Sequence, residues 1–253
     1  MSIGLTDLLA HLESTLEPGQ FRDYCPNGLQ VEGRGQVRRL ATGVTANQAL
    51  LDQAIEWGAD AILVHHGYFW KGEFEPIIGM KRRRLGALIS NNVSLLAYHL
   101  PLDAHPELGN NARLGQLLGI EESVLLKPDD PTSVGNIGMI PGKPAVRELC
   151  RKLEALTGRA PLHVGDPAEQ VSRIAWCTGA AQSYIELAVQ AGAEVFLTGE
   201  ASEQTVHIAR EEGIHFIAAG HHATERYGVQ ALGEHLAQVF ALEHRFIDID
   251  NPV

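Results

Sequence analysis

Apolar positions along the chain follow two rhythms. Leu5, Leu8, Leu9, Leu12 and Leu16 recur every three or four residues, which places them on one stripe and predicts a helix from Thr6 to Leu16. The unbroken apolar run Ala61–Val64 reads as a buried strand, and Leu40–Val44 and Val93–Tyr98 read as strands. The segments between them, Asn47–Trp57 and Lys81–Asn91, have helical length and spacing, as does Asn110–Leu118. Cys25-Pro-Asn-Gly-Leu-Gln-Val-Glu-Gly33 is turn-rich and leads into a short strand. The polar stretch Lys127-Pro-Asp-Asp-Pro-Thr-Ser-Val-Gly135, broken by proline and glycine, reads as a connection. A helix over Pro144–Leu156 follows, with Gly158 as its stop signal. From Arg173 the rhythm restarts. It predicts helices at Ser183–Ala191, Glu203–Glu212 and Gln230–Phe240, and strands at Glu194–Thr198, His215–Ala218 and His244–Ile249.

Strands alternating with helices of about ten residues indicate βαβ units and a largely parallel sheet. The two series also resemble each other. Arg39-Leu-Ala-Thr-Gly-Val-Thr-Ala-Asn-Gln48 and Gly58-Ala-Asp-Ala-Ile-Leu-Val-His65-His66 are echoed 134 positions later by Arg173-Ile-Ala-Trp-Cys-Thr-Gly-Ala-Ala-Gln182 and Gly192-Ala-Glu-Val-Phe-Leu-Thr-Gly199-Glu200. Each copy has a later His-x-x-x-acid partner, His99 to Asp103 and His221 to Glu225, 122 positions apart. The fold class expected is α/β, with two similar βα-rich halves, 1–126 and 127–253, related by a pseudo-twofold duplication and both contributing to one site.

Composition narrows the function classes. With 45% apolar and 20% charged residues the chain is an ordinary globular protein. A formal charge of −11 disfavours a broad nucleic-acid surface, and the short cluster Lys81-Arg-Arg-Arg84 reads as a solvated helix start. No apolar stretch approaches membrane-spanning length, and the first residues lack a basic-then-apolar leader. Cys25, Cys150 and Cys177 are odd in number and widely spaced. They fit thiols in a reducing cytoplasm and offer no Cys-x-x-Cys zinc site.

The candidate chemistry sits at predicted strand ends, where parallel α/β sheets gather their binding groups. His65 and His66 close one strand, His99 and Asp103 follow another, and His221, His222 and Glu225 follow a third. Neighbours on an extended strand point to opposite sides, so His65 and His66 suit two metals, or one ligand and one supporting group, better than a single ion. Pro101 is expected to keep His99-Leu-Pro-Leu-Asp103 out of a regular helix and in a rigid loop. His221 and Glu225, four apart at a helix start, share a face and could share a metal. Imidazole and carboxylate without thiolate suit zinc, iron, manganese, cobalt or nickel alike. Glu200, which stands where the first copy has a histidine, is a rim or supporting acid. No Gly-x-Ser-x-Gly nucleophile or phosphate-cradling Gly-Lys loop competes, and Cys177 reads as a buried structural thiol.

Asn27-Gly-Leu-Gln-Val-Glu-Gly33, Val64-His-His-Gly-Tyr-Phe-Trp-Lys71, His99-Leu-Pro-Leu-Asp-Ala-His-Pro106 and Gly220-His-His-Ala-Thr-Glu225 together resemble the NIF-three-like family, essentially end to end. Its bacterial members are known as GTP cyclohydrolase 1 type 2 homologues, and the chain is most similar to the enterobacterial YbgI type. The long insert that some relatives carry between the halves is lacking here. The resemblance implies a dinuclear centre of two divalent ions, with His65, Asp103 and Glu225 on one, His66, His221 and Glu225 on the other, and Glu225 bridging. It also implies a cytoplasmic homohexamer built as a trimer of dimers. The implied reaction is hydrolysis of a nucleotide or related small molecule, a metal-activated water attacking the purine ring of GTP. His99 or His222 would carry protons, Tyr68 or Trp70 would wall the base, and Lys71 is a possible phosphate contact. The competing class is a non-catalytic metal-binding scaffold or metal-delivery protein.

Overall fold

The apolar runs become parallel strands buried on both faces. The structure, a computed structural model, describes residues 1–253. In chain order the first elements are β1 (Ile3–Gly4), α1 (Leu5–Leu16), β2 (Gly28–Val31), β3 (Gln36–Val37), β4 (Arg39–Thr45), α2 (Gln48–Trp57), β5 (Ala61–His66), α3 (Gly79–Asn91), β6 (Ser94–Ala97) and α4 (Leu100–Ala104). Next come α5 (Asn110–Leu118), β7 (Glu121–Leu125), β8 (Asn136–Met139), α6 (Val146–Thr157), β9 (Leu162–Val164) and β10 (Arg173–Trp176). The chain continues through α7 (Ile185–Gln190), β11 (Val195–Thr198), α8 (Glu203–Glu212), β12 (His215–Ala218), α9 (His221–Thr224), α10 (Arg226–Phe240) and β13 (Glu243–Phe246).

Two compact units result, Met1–Gly109 with Gly228–Asp250, and Asn110–Tyr227 with Asn251–Val253. They do not follow chain order as halves 1–126 and 127–253 would, because β13 pairs in parallel with β4 and draws Gly228–Asp250 to the first unit.

In the first unit the sheet order is β13-β4-β5-β6-β2, parallel except for β2. Successive residues of β4 and β5 face opposite ways, so Leu40, Val44 and Leu63 pack under Leu5, Leu8 and Leu12 of α1 and Val229, Leu232 and Leu236 of α10. Ala41, Ile62 and Val64 pack on the other face under Leu50, Leu51 and Ala54 of α2 and Leu85 and Leu88 of α3. Helices thus cover both faces, as a parallel sheet requires.

The second unit repeats this plan. Its sheet order is β7-β8-β10-β11-β12-β9, with β10, β11 and β12 parallel and the other pairings antiparallel. Ile174, Trp176, Val195 and Leu197 pack against α5 and α6, while Ala175, Cys177, Phe196 and Phe216 pack against α7 and α8. In each unit three parallel strands joined by helices carry an antiparallel strand beside the third, β2 in one and β9 in the other.

Two local features depart from expectation. Leu100–Ala104 is a short helix despite Pro101. Pro101 occupies its first turn, where a missing N–H breaks no intrahelical bond, so proline starts this helix and does not prevent it. Ser183–Ala191 divides into a 3-10 turn at Gln182–Tyr184 followed by α7. No helix is long and apolar enough to cross a membrane.

Candidate metal centre

Each unit brings its own histidines and carboxylates together at the ends of its parallel strands. In the first unit, β5 ends on His65 and His66. His65 is fully buried, and its Nδ1–H donates to the Tyr98 carbonyl at 3.0 Å. A carbonyl only accepts, so this bond fixes the tautomer and turns the Nε2 lone pair toward Asp103, whose Oδ1 is 3.5 Å away. Asp103 is itself buried on α4. Nδ1 of His66 is 3.2 Å from the hydroxyl of Thr45, its partner across the β4–β5 register. The two rings lie only 4.6 Å apart, although neighbouring strand residues ordinarily point to opposite faces.

His99 joins them. Nitrogens of His65, His66 and His99 fall within 4.8 Å of one another. His99 stands at the start of α4 and is held by Asn27, which opens the Asn27–Gly33 motif, and by Asp23, which nothing in the sequence singled out. Its backbone N–H donates to Asn27 Oδ1 at 2.7 Å, and its Nδ1 is 2.7 Å from Asp23 Oδ1. Asp23 also accepts from the backbone N–H of Tyr24 and Leu100 and from the Asn27 side chain. Burial pushes the Asp23 carboxyl up, but the His99 hydrogen bond and charge, with the Asn27 and Tyr24 donors, outweigh it and hold it at about 2. Burial and the Asp23 charge push the neighbouring Cys25 thiol up to about 12, so it stays protonated and is a poor ligand.

Of the two expected aromatic walls, one reaches the histidines. Trp70 meets the His99 ring edge-on at 5.0 Å and lies 5.9 Å from His66, with its indole N–H donating to the Gly67 carbonyl. Tyr68 is buried in the core with its hydroxyl donating to the Ala46 carbonyl, so it packs and does not wall. Lys71 is exposed.

In the second unit, β12 runs through Gly220 into the one-turn helix α9, and Glu225 follows as its C-cap. His221 Nε2 is 3.1 Å from Glu225 Oε2, and its Nδ1 is 2.6 Å from Glu200 Oε1, just past the end of β11. Burial would depress the His221 pKa, but the Glu225 and Glu200 carboxylates outweigh it and raise it to about 9 in the absence of a cation. Gly179, in the left-handed region at φ 70°, abuts this pair. A Cβ there would overlap Glu225 Oε1 and come within 3.2 Å of His221 Nε2. His222 lies beside them, its backbone N–H donating to the Val253 carbonyl at 3.1 Å.

The donor set fits a hard or borderline divalent cation. His65, His66 and His221 are each engaged through Nδ1, by a carbonyl, a hydroxyl and a carboxylate respectively. That is the arrangement that orients imidazoles for ligation through Nε2. The structure therefore groups His65 with Asp103, His66 and His99 in one unit, and His221 with Glu225 and Glu200 in the other. The duplication signalled Glu200. Asp23 and Gly179 carried no such signal.

The sequence pattern of the family described as Duf34/NIF3 (NGG1p interacting factor 3) matches residues 3–252. A Pseudomonas aeruginosa protein named GTP cyclohydrolase 1 type 2 homolog is 57% identical over 254 residues, covering 100% of both chains. A Salmonella typhimurium protein of the same name is 54% identical over 249 residues, covering 98% of each. The solved structure of protein ybgI, described as of unknown function, superposes with a TM-score of 0.94 at 51% identity, covering 99% of this chain and 100% of that one.

Proposed function

The chain belongs to the Duf34/NIF3 family, and from that premise we propose that it binds two divalent cations and hydrolyses a small, nucleotide-like substrate. The observation that supports this reading is the shared anchoring of His65, His66 and His221 through Nδ1, which leaves three imidazoles oriented for ligation. His65, Asp103 and Glu225 would hold one cation and His66, His221 and Glu225 the other. This assignment, with both units contributing ligands, rests on the family resemblance. When bound, such cations supply Lewis acidity and acidify a water enough for hydrolysis near neutral pH.

The chain's own residues divide the remaining work. Asp23 fixes the His99 ring through Nδ1, and an imidazole held in one orientation is placed to take up a proton and return it. His222 is the second candidate for that role. Trp70 offers a flat apolar wall beside His66 and His99 on which a planar ring would stack. Association as a homohexamer belongs to the same reading.

The test is to purify the protein, quantify its metals, and measure formate and phosphate release from a nucleotide panel with each divalent metal added. The expected result is activity in wild type and at least a hundredfold loss in His65→Ala. Equal inertness of both proteins across all metals and substrates would leave the non-catalytic, metal-holding alternative standing.

A further inference from the structure

We infer that a second-unit pocket beside His221, lined by Arg159, Leu162, Gly199, Glu200 and Pro252, is an oxyanion subsite whose cation is Arg159. Its ligand is a small molecule bearing a phosphate or a carboxylate. The pocket is a cavity of about 500 Å³, the size range of sites for small metabolites.

Arg159 is built into it. It follows Gly158, the left-handed C-cap of α6, and its backbone carbonyl accepts from the Thr157 hydroxyl at 3.1 Å, which pins the chain at that point. Its side chain crosses Gly220, where a Cβ would stand 2.8 Å from Nη1 and 2.9 Å from Cδ, so only glycine leaves room for it. Nη1 is shielded from solvent against Gly220 and donates to nothing in the protein, so an anion in the pocket would meet the other N–H groups of the fork, and the guanidinium forms no ion pair. An arginine stays charged at any physiological pH, and its fork of N–H donors matches the oxygens of phosphate or carboxylate.

The pocket's one side-chain carboxylate does not answer that need. Glu200 is committed to His221 Nδ1 at 2.6 Å. The other walls, including Ala160, Pro161 and Val253, are largely apolar and suit the body of a molecule whose anionic end meets Arg159. Because Glu200 belongs both to this pocket and to the support of His221, an anion held here lies next to the proposed ligand set. Only the statement that the anion is part of a substrate rests on the proposed function.

The experiment is calorimetric titration of the purified, metal-containing protein with inorganic phosphate and, in a separate arm, with malonate. Wild type and His66→Ala should bind at least one of the two probes with similar affinity. Arg159→Gln should weaken that binding at least tenfold, and Leu162→Trp, which fills the pocket while keeping Arg159, should weaken it comparably. The stronger arm identifies the oxyanion. Binding of neither probe to wild type, or unchanged binding in Arg159→Gln, overturns the inference. So does loss of binding in His66→Ala, because the anion would then be held by the cations. Unchanged metal content in His66→Ala would count against the proposed function and leave this one intact. Thermal melting of both pocket variants separates a local effect from failure to fold.

Discussion

Histidine orientation is set by the atom bonded to the far nitrogen, and the three candidate ligand histidines use three different anchors. The Tyr98 carbonyl can only accept, and Thr45 is a neutral hydroxyl, whereas Glu200 brings a full charge. Removing that charge while keeping the shape therefore tests anchoring directly. Glu200→Gln should lower divalent-metal affinity about 10–100-fold, read by competition with a chromogenic chelator. Unaltered affinity would mean that His221 is not a ligand or does not need its anchor. Gly179→Ala is the steric counterpart. Its Cβ has no room beside Glu225, and φ 70° is strained for any other residue. Metal content and melting temperature should fall together, and a variant with full metal content would show that Glu225 is placed some other way. The histidines were legible in the sequence because they close apolar strands, and Glu200 because the repeat aligned it with them. Asp23 was not, since its partner His99 lies 76 residues away and nothing local marks the contact.

Helix α2 carries the chain from β4 to β5, and thus to His65 and His66, and its start is fixed by one side chain. Asn47 Oδ1 accepts the Leu50 N–H at 2.9 Å, satisfying one of the donors a helix N-terminus leaves open. Asn47→Ala should cost about 1 kcal/mol of unfolding free energy in denaturant titration, and Asn47→Gly only a few tenths. Equal losses for the two would mean that the hydrogen bond is not what the helix start requires. Elements of this kind were legible, because a buried strand or an amphipathic helix writes its period into the chain. The strands β7 and β9 did not. Glu121–Leu125 is almost wholly exposed and Leu162–Val164 is three residues at a sheet edge, so neither has an apolar run to display. Pro101 misled for the opposite reason. Its rule concerns helix interiors, and the helix it opens is too short to have one.

At the scale of the molecule, the pairing of β13 with β4 joins residues 204 positions apart, and no local pattern in either strand announces it. The distribution of histidines has a consequence for the whole fold. Burial, and in three cases a second histidine, depresses the pKa of His11, His105, His163 and His244, with Glu107, Asp166 and Glu234 opposing only in part. The first three of these in space are clustered around stacked pairs. His11 stacks on His235 at 5.2 Å in the first unit, and His163 on His215 at 5.5 Å in the second. A histidine whose folded pKa lies below its unfolded value binds fewer protons in the folded state near pH 6, so stability rises with pH through that range and is lost on acidification. The loss begins as pH falls through 6.5 and ends only below the depressed folded values. The carboxylates held low, Asp23, Glu73, Asp130, Glu194 and Glu243, keep their contributions until well below this window, since their unfolded values lie at 3.8 to 4.5. His221 acts on the other side. Raised to about 9, it stabilises the metal-free chain fully below pH 6.5 and loses that effect as pH climbs toward 9. Metal-free protein should therefore be most stable near pH 6.5 to 7, with a melting temperature that falls toward pH 5.5 and, more gently, toward pH 9. His11→Gln should flatten the acid limb, and Glu200→Gln the alkaline one. A melting temperature that rose steadily from pH 7 to 5.5 would mean that these histidines are charged in the folded protein and that their burial does not govern them.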